Sequence, residues 1–389
     1  MRGRFLQLHT LTGYSATLLN RDDVGRAKRL PFGGHDRIRV SSQCLKRHWR
    51  EATGEWSLQE LGSGKSTRSR RVFSDVIAGR LLERGLSENQ IVNVLMPIRF
   101  AVVGESIKAK QARQEKPVEG AEPLTGLQTD QVIVLGEPEI AFLTNLAAEL
   151  VKDDAEGTAK AVGAYFKDKA NKANLKALVM GSGLDAAIFG RMVTSDLMAR
   201  SDAAVHVAHS FTVHAEETEP DYFSALDDLV TAEGELGSAH INTSELTSGL
   251  FYTYVVVDLH QLVDNLSSDR TLAAEVIRRL VHLIATVSPG AKLGATAPYA
   301  CAEMMLAESG ERQPRTLANA FMIPVSKQGA KEKASAAISE YLGRYGAVYG
   351  THERRRVATM IEPAPEHTGK RVTMAALAQW AAGQVGETS

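Results

Sequence analysis

Four polar side chains stand at helical spacing in a segment rich in positive charge. They occupy positions i, i+3, i+4 and i+7 of one helix face: Gln43, Lys46, Arg47 and Arg50. Ser41 or Ser42 can cap this helix, whose first N–H groups then lie free beside two hydroxyls. Amides, hydroxyls and cations bind phosphate oxygens without reading bases. The spacing therefore predicts a helix end that contacts a phosphate backbone of any sequence.

The charge around this helix is concentrated in one block. Nine Lys or Arg and three Asp lie between Arg21 and Arg50, in a chain whose formal net charge is −1. Arg37 and Arg39 alternate with apolar residues in a short strand, and we expect both to approach the start of the helix. A near-neutral protein that concentrates cations in this way is expected to hold a polyanion there.

Two neighbouring motifs suggest enzymatic chemistry. Asp22 and Asp23 are adjacent carboxylates that could hold a metal ion for hydrolysis, although pairing with nearby arginines is the simpler interpretation. Residues 62–67 read GSGKST, which resembles the end of a phosphate-binding loop. Gln59 stands where that loop needs its first glycine, and no strand precedes it, so an NTPase site is rejected. The basic stretch from Lys65 to Arg71 could still touch nucleic acid.

Other residue types favour no metal site, no cofactor and no nucleophilic catalysis. His206, His209 and His214 do not share one strand face, and the two cysteines, Cys44 and Cys301, lack the spacing of metal ligands. Aromatic residues make up only 6% of the chain, so base stacking is not expected to supply the affinity. The low cysteine content and the absence of a signal peptide or a long apolar run predict a cytoplasmic protein.

A second charged segment is acidic. Between Ser201 and Asp269 there are thirteen Asp or Glu and no Lys or Arg. A solvated acidic loop would explain a charge run of this kind. The alternative hypothesis is that the segment contacts basic surface on another copy of the chain, so that reversing four of its acids to Lys would break assembly.

The predicted elements give an α+β domain with a helical insertion. Two strands and the helix from Gln43 flank a basic loop at residues 21–36, and helical patterns fill residues 74–97, 137–151 and 155–172. Strand patterns return at residues 185–191 and 250–259, and an amphipathic helix covers residues 273–287.

The basic block also resembles a known family. Residues 18–23 (LLNRDD), 32–34 (FGG) and 39–47 (RVSSQCLKR) are similar to the N-terminal signature of the CasC (Cse-type) family, the backbone subunits of the type I-E CRISPR Cascade complex. The similarity continues in register through residues 237–240 (GSAH), 248–252 (SGLFY) and 289–292 (PGAK). It is weak across residues 55–180 and vague after residue 300.

The resemblance implies a hand-shaped subunit. Its palm is a modified RNA-recognition-like (ferredoxin-like) sheet formed by residues 1–55 and 181–389, its fingers are a helical insertion at residues 56–180, and a protruding thumb hairpin spans about 205–240. Copies assemble head to tail as a helical filament along one CRISPR RNA, and the displayed guide pairs with invading DNA in antiviral defence. Other Cascade subunits are further partners, a nuclease–helicase is recruited indirectly, and no membrane is involved.

The resemblance also implies particular RNA contacts. Lys28, Ser41, Gln43, Lys46 and Arg50 match positions at the guide backbone, Met192 beside Arg191 matches a position that packs on bases, and Thr212 lies where the thumb begins. Together with the cations and hydroxyls derived above, the predicted RNA-binding set is Arg21, Lys28, Arg37, Arg39, Ser41, Ser42, Gln43, Lys46, Arg47, Arg50, Arg191, Met192 and Thr212. The expected subunit is not an enzyme. The alternatives are a metal-dependent ribonuclease that uses Asp22 or Asp23 and a stand-alone RNA-binding protein.

Overall fold

Two compact units make up the chain in the computed structural model. The first contains Met1–Leu58, Val205–His260 and Arg270–Ser389, and the second contains Gln59–Ala204 and Gln261–Asp269. The structure describes residues 3–61, 66–104, 123–171, 183–191, 202–216, 218–226 and 238–386. Strands and helices are both abundant, which confirms the predicted α+β class.

Twelve strands are numbered in chain order. They are β1 (Phe5–Thr17), β2 (Arg29–Phe32), β3 (His35–Val40), β4 (Thr67–Ser69), β5 (Ile133–Leu135), β6 (Val205–Val207), β7 (Ser210–Thr212), β8 (Thr218–Leu226), β9 (Ser238–Asp258), β10 (Ala302–Gly310), β11 (Arg354–Thr359) and β12 (Lys370–Arg371). Ten of them form one sheet in the first unit, with the order β12-β11-β10-β1-β9-β7-β3-β2, and β6 and β8 pair with β9 off this path.

Ten α-helices follow the same numbering. They are α1 (Ser42–Glu51), α2 (Ala78–Glu83), α3 (Glu88–Val103), α4 (Glu137–Leu150), α5 (Ala155–Lys167), α6 (Leu184–Phe189), α7 (Leu259–Asn265), α8 (Arg270–Thr286), α9 (Ala330–Tyr349) and α10 (Met374–Ala382). A π-helical turn at Val72–Ile77 leads into α2, and single 3₁₀ turns occur at Leu58–Glu60, Pro123–Leu127, Ala318–Phe321 and Gly383–Val385. Within the described ranges, no helix has the length and apolar character needed to cross a membrane.

Strand β9 organises the sheet of the first unit. Its later half pairs antiparallel with β1 from Phe5↔Asp258 to Thr17↔Thr247, and its earlier half pairs with β8 from Thr218↔Thr247 to Leu226↔Ser238. Strand β10 lies on the other side of β1. The hairpin of β8 and β9 therefore continues directly from a strand of the central sheet.

Both faces of this sheet are covered. On one face Leu11 and Tyr252 belong to an apolar cluster with Phe321, Ile338 and Leu342, the last two from α9. On the other face α1 packs through Leu45 and Trp49, which lie with Phe251 and Ile284 around a small internal void. Burial on both faces explains why β1 is buried almost continuously from Leu6 to Thr12 without an exposed alternate residue.

The second unit has its own core, built mostly from helices. Val72–Ile77, α2, α3, α4 and α5 supply its buried apolar side chains, among them Phe73, Leu95 and Leu143. Ser87 begins α3 with a reciprocal capping arrangement in which its hydroxyl accepts from the Gln90 N–H.

Two predicted elements are wrong. Residues 185–191 were expected to form a strand, but Leu184–Phe189 is helix α6, flanked by Gly183 and Gly190. Every residue from Leu184 to Ile188 is buried, and a short, uniformly buried run carries no period that separates strand from helix. The loop expected at residues 21–36 contains β2, which pairs with β3 through a two-residue turn.

Candidate nucleic-acid interface

The basic block is organised by the β2–β3 hairpin. Gly33 and Gly34 form its turn with φ of 63° and 78°, the positive values that a tight two-residue hairpin turn requires. A Cβ on Gly33 would lie 1.7 Å from the Met322 carbonyl oxygen, so no other residue fits there. The hairpin leads directly from β3 into α1, and its turn is held against the segment that carries Met322.

Asn20 ties this hairpin and its preceding loop to the start of α1. Its side-chain oxygen accepts the Ser41 N–H at 2.9 Å, and its backbone oxygen accepts the Lys28 N–H at 2.9 Å. The Lys28 carbonyl in turn accepts the Arg39 N–H at 2.7 Å. One asparagine thus fixes the backbone of Lys28 and Arg39 beside the helix cap.

Helix α1 presents unused donors at its N-terminus. The Ser41 hydroxyl caps the helix by accepting the Cys44 N–H at 3.3 Å. The backbone N–H groups of Ser42 and Gln43 donate to no group in the part of the chain that the structure describes. Free amides at the positive end of a helix dipole are suited to an anion.

The predicted polar face of α1 surrounds this end. Gln43 is exposed, and Lys46 is half-buried. The Arg47 side chain is 69% exposed and pairs with Glu51 at 3.0 Å, while that of Arg50 is 17% exposed and lies 3.4 Å from the same carboxylate. The exposed Arg47–Glu51 pair is worth little and exchanges readily. The opposite face is buried through Leu45 and Trp49, as the spacing predicted.

Arg39 reaches the same surface together with a histidine. Its Nη1 donates to Nδ1 of His209 at 2.9 Å, and its Nε donates to the Arg29 carbonyl at 3.0 Å. Partial burial, together with the charges of Arg39 and Lys28, lowers the pKa of His209. His209 therefore accepts a hydrogen bond as a neutral ring and leaves the positive charge with the arginine and the lysine.

Arg29 is bracketed by two acids of the acidic segment. Its guanidinium pairs with Glu216 and with Glu245, and both carboxylates are only about one-seventh exposed. Glu245 also accepts the Ala27 N–H at 2.6 Å. Part of the acidic segment thus neutralises the basic block within the same chain. Glu216 and Glu245 are therefore engaged inside the subunit, and the hypothesis of contacts between copies is left with the other acids of the segment.

Five residues of the predicted RNA-binding set are buried: Ser41 and Ser42 at the helix cap, and Arg37, Thr212 and Arg191. Arg37 has no exposed surface, and its two terminal nitrogens donate to the Thr212 and Phe321 carbonyls at 2.9 Å each. The Thr212 hydroxyl donates to the His214 carbonyl at 3.0 Å. Arg191 pairs with Glu139 at 2.7 Å, and their side chains are 2% and 4% exposed.

These side chains therefore brace the fold in this structure. The expectation that Arg37 lies beside Arg39 at the start of α1 is wrong, because Arg37 is fully buried. Both faces of the sheet are covered, so a side chain of β3 can be buried on either face. Arg21 is exposed, Ser41 and Ser42 are buried as part of the helix cap, and Met192 lies outside the described residues.

The two motifs that suggested enzymatic chemistry have structural roles in the described residues. One oxygen of Asp22 accepts the N–H groups of Val24 and Arg26 at 3.1 and 2.8 Å, which shapes a tight loop. Asp23 is exposed. Over the described ranges, no three His, Cys, Asp or Glu side chains come together as metal ligands. Lys65 lies outside those ranges, and Arg71 pairs with Asp75 at 2.7 Å.

Asn20 and the acids around Arg29 are the positioning residues that sequence reasoning did not identify. Asn20 stands in the LLNRDD motif, and an asparagine before a loop is a known local cap, so a signal was present. Glu245 gave no local signal, because it lies 218 residues away from Ala27 along the chain.

Comparison with known proteins shows what the whole chain is similar to. A search of curated proteins found no match. Among solved structures, the chain is similar to a chain of a "CRISPR RNA-guided surveillance complex, pre-nicking", with a TM-score of 0.80 and 27% identity over 98% of this chain and 100% of that one. A chain of another "CRISPR RNA-guided surveillance complex" has the same fold, with a TM-score of 0.71 and 24% identity over 97% and 100% of the two chains.

These likenesses confirm the resemblance to Cascade subunits that the sequence motifs indicated. The model of the family described as CT1975-like protein matches residues 6–381. The chain that carries this basic helix end belongs to the CT1975-like protein family.

Proposed function

We propose that this protein is a backbone subunit of a type I-E CRISPR Cascade surveillance complex. Copies of it polymerise head to tail along the CRISPR RNA as a helical filament, hold the RNA by sequence-independent backbone contacts and present the guide for pairing with invading DNA. The sheet of the first unit serves as the RNA-recognition-like palm, and the β8–β9 hairpin serves as the thumb. The protein acts in the cytoplasm with other Cascade subunits, and a nuclease–helicase recruited to the complex cuts the DNA.

The observation that carries this proposal is the N-terminus of α1. Two backbone N–H groups that donate to no described group, at Ser42 and Gln43, lie beside the cations of the same helix and beside Lys28 and Arg39. Every one of these groups binds phosphate oxygen, and none of them is placed to read one base against another. The family membership and the likeness to chains of RNA-guided complexes support the same ligand.

The protein is proposed to be non-catalytic. Asp22 is engaged with loop amides, so its carboxylate maintains the loop that positions Lys28. If the protein were a metal-dependent ribonuclease instead, it would cleave RNA in the presence of Mg²⁺ or Mn²⁺. The Asp22→Ala or Asp23→Ala variant would then lose that activity.

The decisive experiment removes the phosphate-facing cations of α1. The double variant Lys46→Ala, Arg50→Ala should bind all RNA sequences more weakly. Its dependence of log affinity on log salt should be shallower by about 0.7 for each lost phosphate contact with single-stranded RNA. Less short RNA should also co-purify with the variant than with the unchanged protein.

A matched control removes the same amount of charge from the same unit. Lys333→Ala, Arg344→Ala changes two exposed cations of α9 and leaves α1 intact. It should retain the RNA and the original salt slope. Loss of affinity for one RNA sequence alone, or an equal loss in the control, would contradict backbone binding at α1.

A further inference from the structure

A second group of cations lies at the opposite edge of the sheet. Strand β11 begins with three consecutive arginines, and its parallel neighbour β12 consists of a lysine and an arginine: Arg354, Arg355, Arg356, Lys370 and Arg371. The pairing register places Arg356 against Lys370 and Val357 against Arg371. Strand β12 is the last strand of the sheet, so its outer side has no strand beside it in the part that the structure describes.

Carboxylates neutralise two of these five cations. Arg355 donates to Glu308 at 2.5 Å and to Glu353 at 3.1 Å. Arg371 pairs with Glu362 at 2.5 Å and donates to the Thr359 carbonyl at 2.9 Å. These two arginines have partners that explain their presence without any ligand.

Arg356 and Lys370 are different. They are direct neighbours across the ladder, where like charges destabilise a sheet. Arg356 donates to the Arg355 carbonyl at 2.8 Å and lies over the Trp380 ring at 5.6 Å, while Lys370 is exposed. No described carboxylate pairs with either of them.

A bound anion would neutralise this pair. Trp380 holds the Arg356 guanidinium by a cation–π contact, so that the arginine does not swing away from the lysine. A phosphate group accepts hydrogen bonds from both an arginine and a lysine at once. Two cations on adjacent strands that no described carboxylate pairs with are suited to a phosphodiester backbone passing along the sheet edge.

We propose that Arg356 and Lys370 bind the sugar–phosphate backbone of a second nucleic-acid strand. Four strands, β7, β9, β1 and β10, lie between β3 and β11, so β11 is about 24 Å from β3 at a strand spacing of about 4.8 Å. The nucleic-acid strand bound at β11 and β12 is separate from the RNA proposed to bind at α1. The inference rests on the proposed function only in taking the strand at α1 to be that RNA. While one strand is held at α1, the far edge is available to the DNA that the complex meets.

The test uses the full chain, purified with the RNA that it carries. The probes are a fluorescent single-stranded DNA with no complementarity to that RNA and the same sequence as a duplex. Lys370→Gln should weaken binding to the preferred probe by about three- to tenfold at moderate salt. The salt slope should become shallower by about 0.7 for single-stranded DNA or about 0.9 for duplex DNA, and roughly twice that in Arg356→Gln, Lys370→Gln.

Arg371→Gln is the matched control, since it removes a neighbouring cation that is directed to Glu362 and the Thr359 carbonyl. It should weaken DNA binding less than Lys370→Gln does. Lys370→Gln also relieves a like-charge contact, so its melting temperature should not fall, which separates lost binding from lost folding. All three variants should keep their co-purified RNA, whereas the α1 variant loses it, so the two proposals fail independently.

Unchanged affinity and slope for both DNA probes in Lys370→Gln would overturn the proposal. An equal loss in Arg371→Gln would overturn it as well. A change in the size of the assembly with unchanged DNA binding would also overturn it, because the edge would then contact protein.

Discussion

The carboxylate of Glu245 gives the sharpest test of how the basic block works. Glu245→Gln removes a negative charge next to proposed RNA-binding cations. Simple electrostatics predicts tighter RNA binding in this variant. The structure predicts the opposite, because Glu245 accepts hydrogen bonds from the Ala27 N–H and from Arg29 and so holds the loop that carries Lys28.

The magnitudes decide between the two effects. At about one Debye length, removing a unit charge changes the interaction with a phosphate by only about 0.2 kcal/mol. A hydrogen bond to a charged group contributes about 1.5–3 kcal/mol, and the Glu245 side chain is only 14% exposed, so screening by solvent is limited. We therefore expect the free energy of unfolding to fall by about 1–3 kcal/mol in Glu245→Gln.

RNA affinity should fall with the loss of loop order. If about 1 kcal/mol of that loss appears as disorder of the loop, RNA binding weakens by about fivefold, as measured by fluorescence anisotropy at fixed salt. Glu216→Gln is the comparison variant, since it removes the other carboxylate of Arg29 and spares the Ala27 N–H. Its effect should be smaller. Tighter RNA binding by Glu245→Gln with unchanged stability would refute the positioning role.

Two further predictions concern the buried polar network of the first unit. Glu308 has no exposed side-chain surface and accepts from His9 and from two arginines, so Glu308→Gln should cost about 3–5 kcal/mol of unfolding free energy in a denaturant titration, whereas a loss under 1 kcal/mol would show that the charges are not truly buried. Burial lowers the pKa of His9, which the folded state keeps neutral, so stability is complete above the unfolded pKa of about 6.5 and should decline as the pH falls below it. Burial alone would raise the pKa of Glu308, but its hydrogen bonds with His9 and an arginine hold that pKa well below its usual range, which adds a further loss of stability below about pH 4.3. Thermal melts from pH 7 to pH 5 should show the decline in stability that is due to His9, and His9→Gln should flatten it. An equal slope in the variant would assign the decline to other groups.

The local features of the site could be predicted from the sequence. The Ser41 cap, the start of α1 and the burial of Leu45 and Trp49 follow from capping chemistry and helical spacing, and the structure confirms them. The amphipathic helix expected at residues 273–287 is confirmed as α8, at Arg270–Thr286. Each of these depends on residues within a few turns of one another.

What failed depends on distant parts of the chain. Arg37 is buried and donates to the carbonyls of Thr212 and Phe321. These two acceptors lie 175 and 284 positions away along the chain, so the sequence around Arg37 does not indicate them. Alternation along β3 could not show that the sheet is covered on both faces. The Glu139 partner of Arg191 lies 52 positions away, so the residues around Arg191 in the sequence do not indicate that its charge is already paired. No local pattern indicates such partners.

The length of β9 has a mechanical consequence. Its 21 residues belong both to the hairpin with β8 and to the centre of the sheet beside β1. A force applied to that hairpin along the strand direction loads the β1–β9 ladder in shear, so the hydrogen bonds of eleven paired positions resist it together. A force applied across the strand direction opens only the last pairs of β8. The hairpin should therefore be stiff under tension along its axis and compliant to sideways bending.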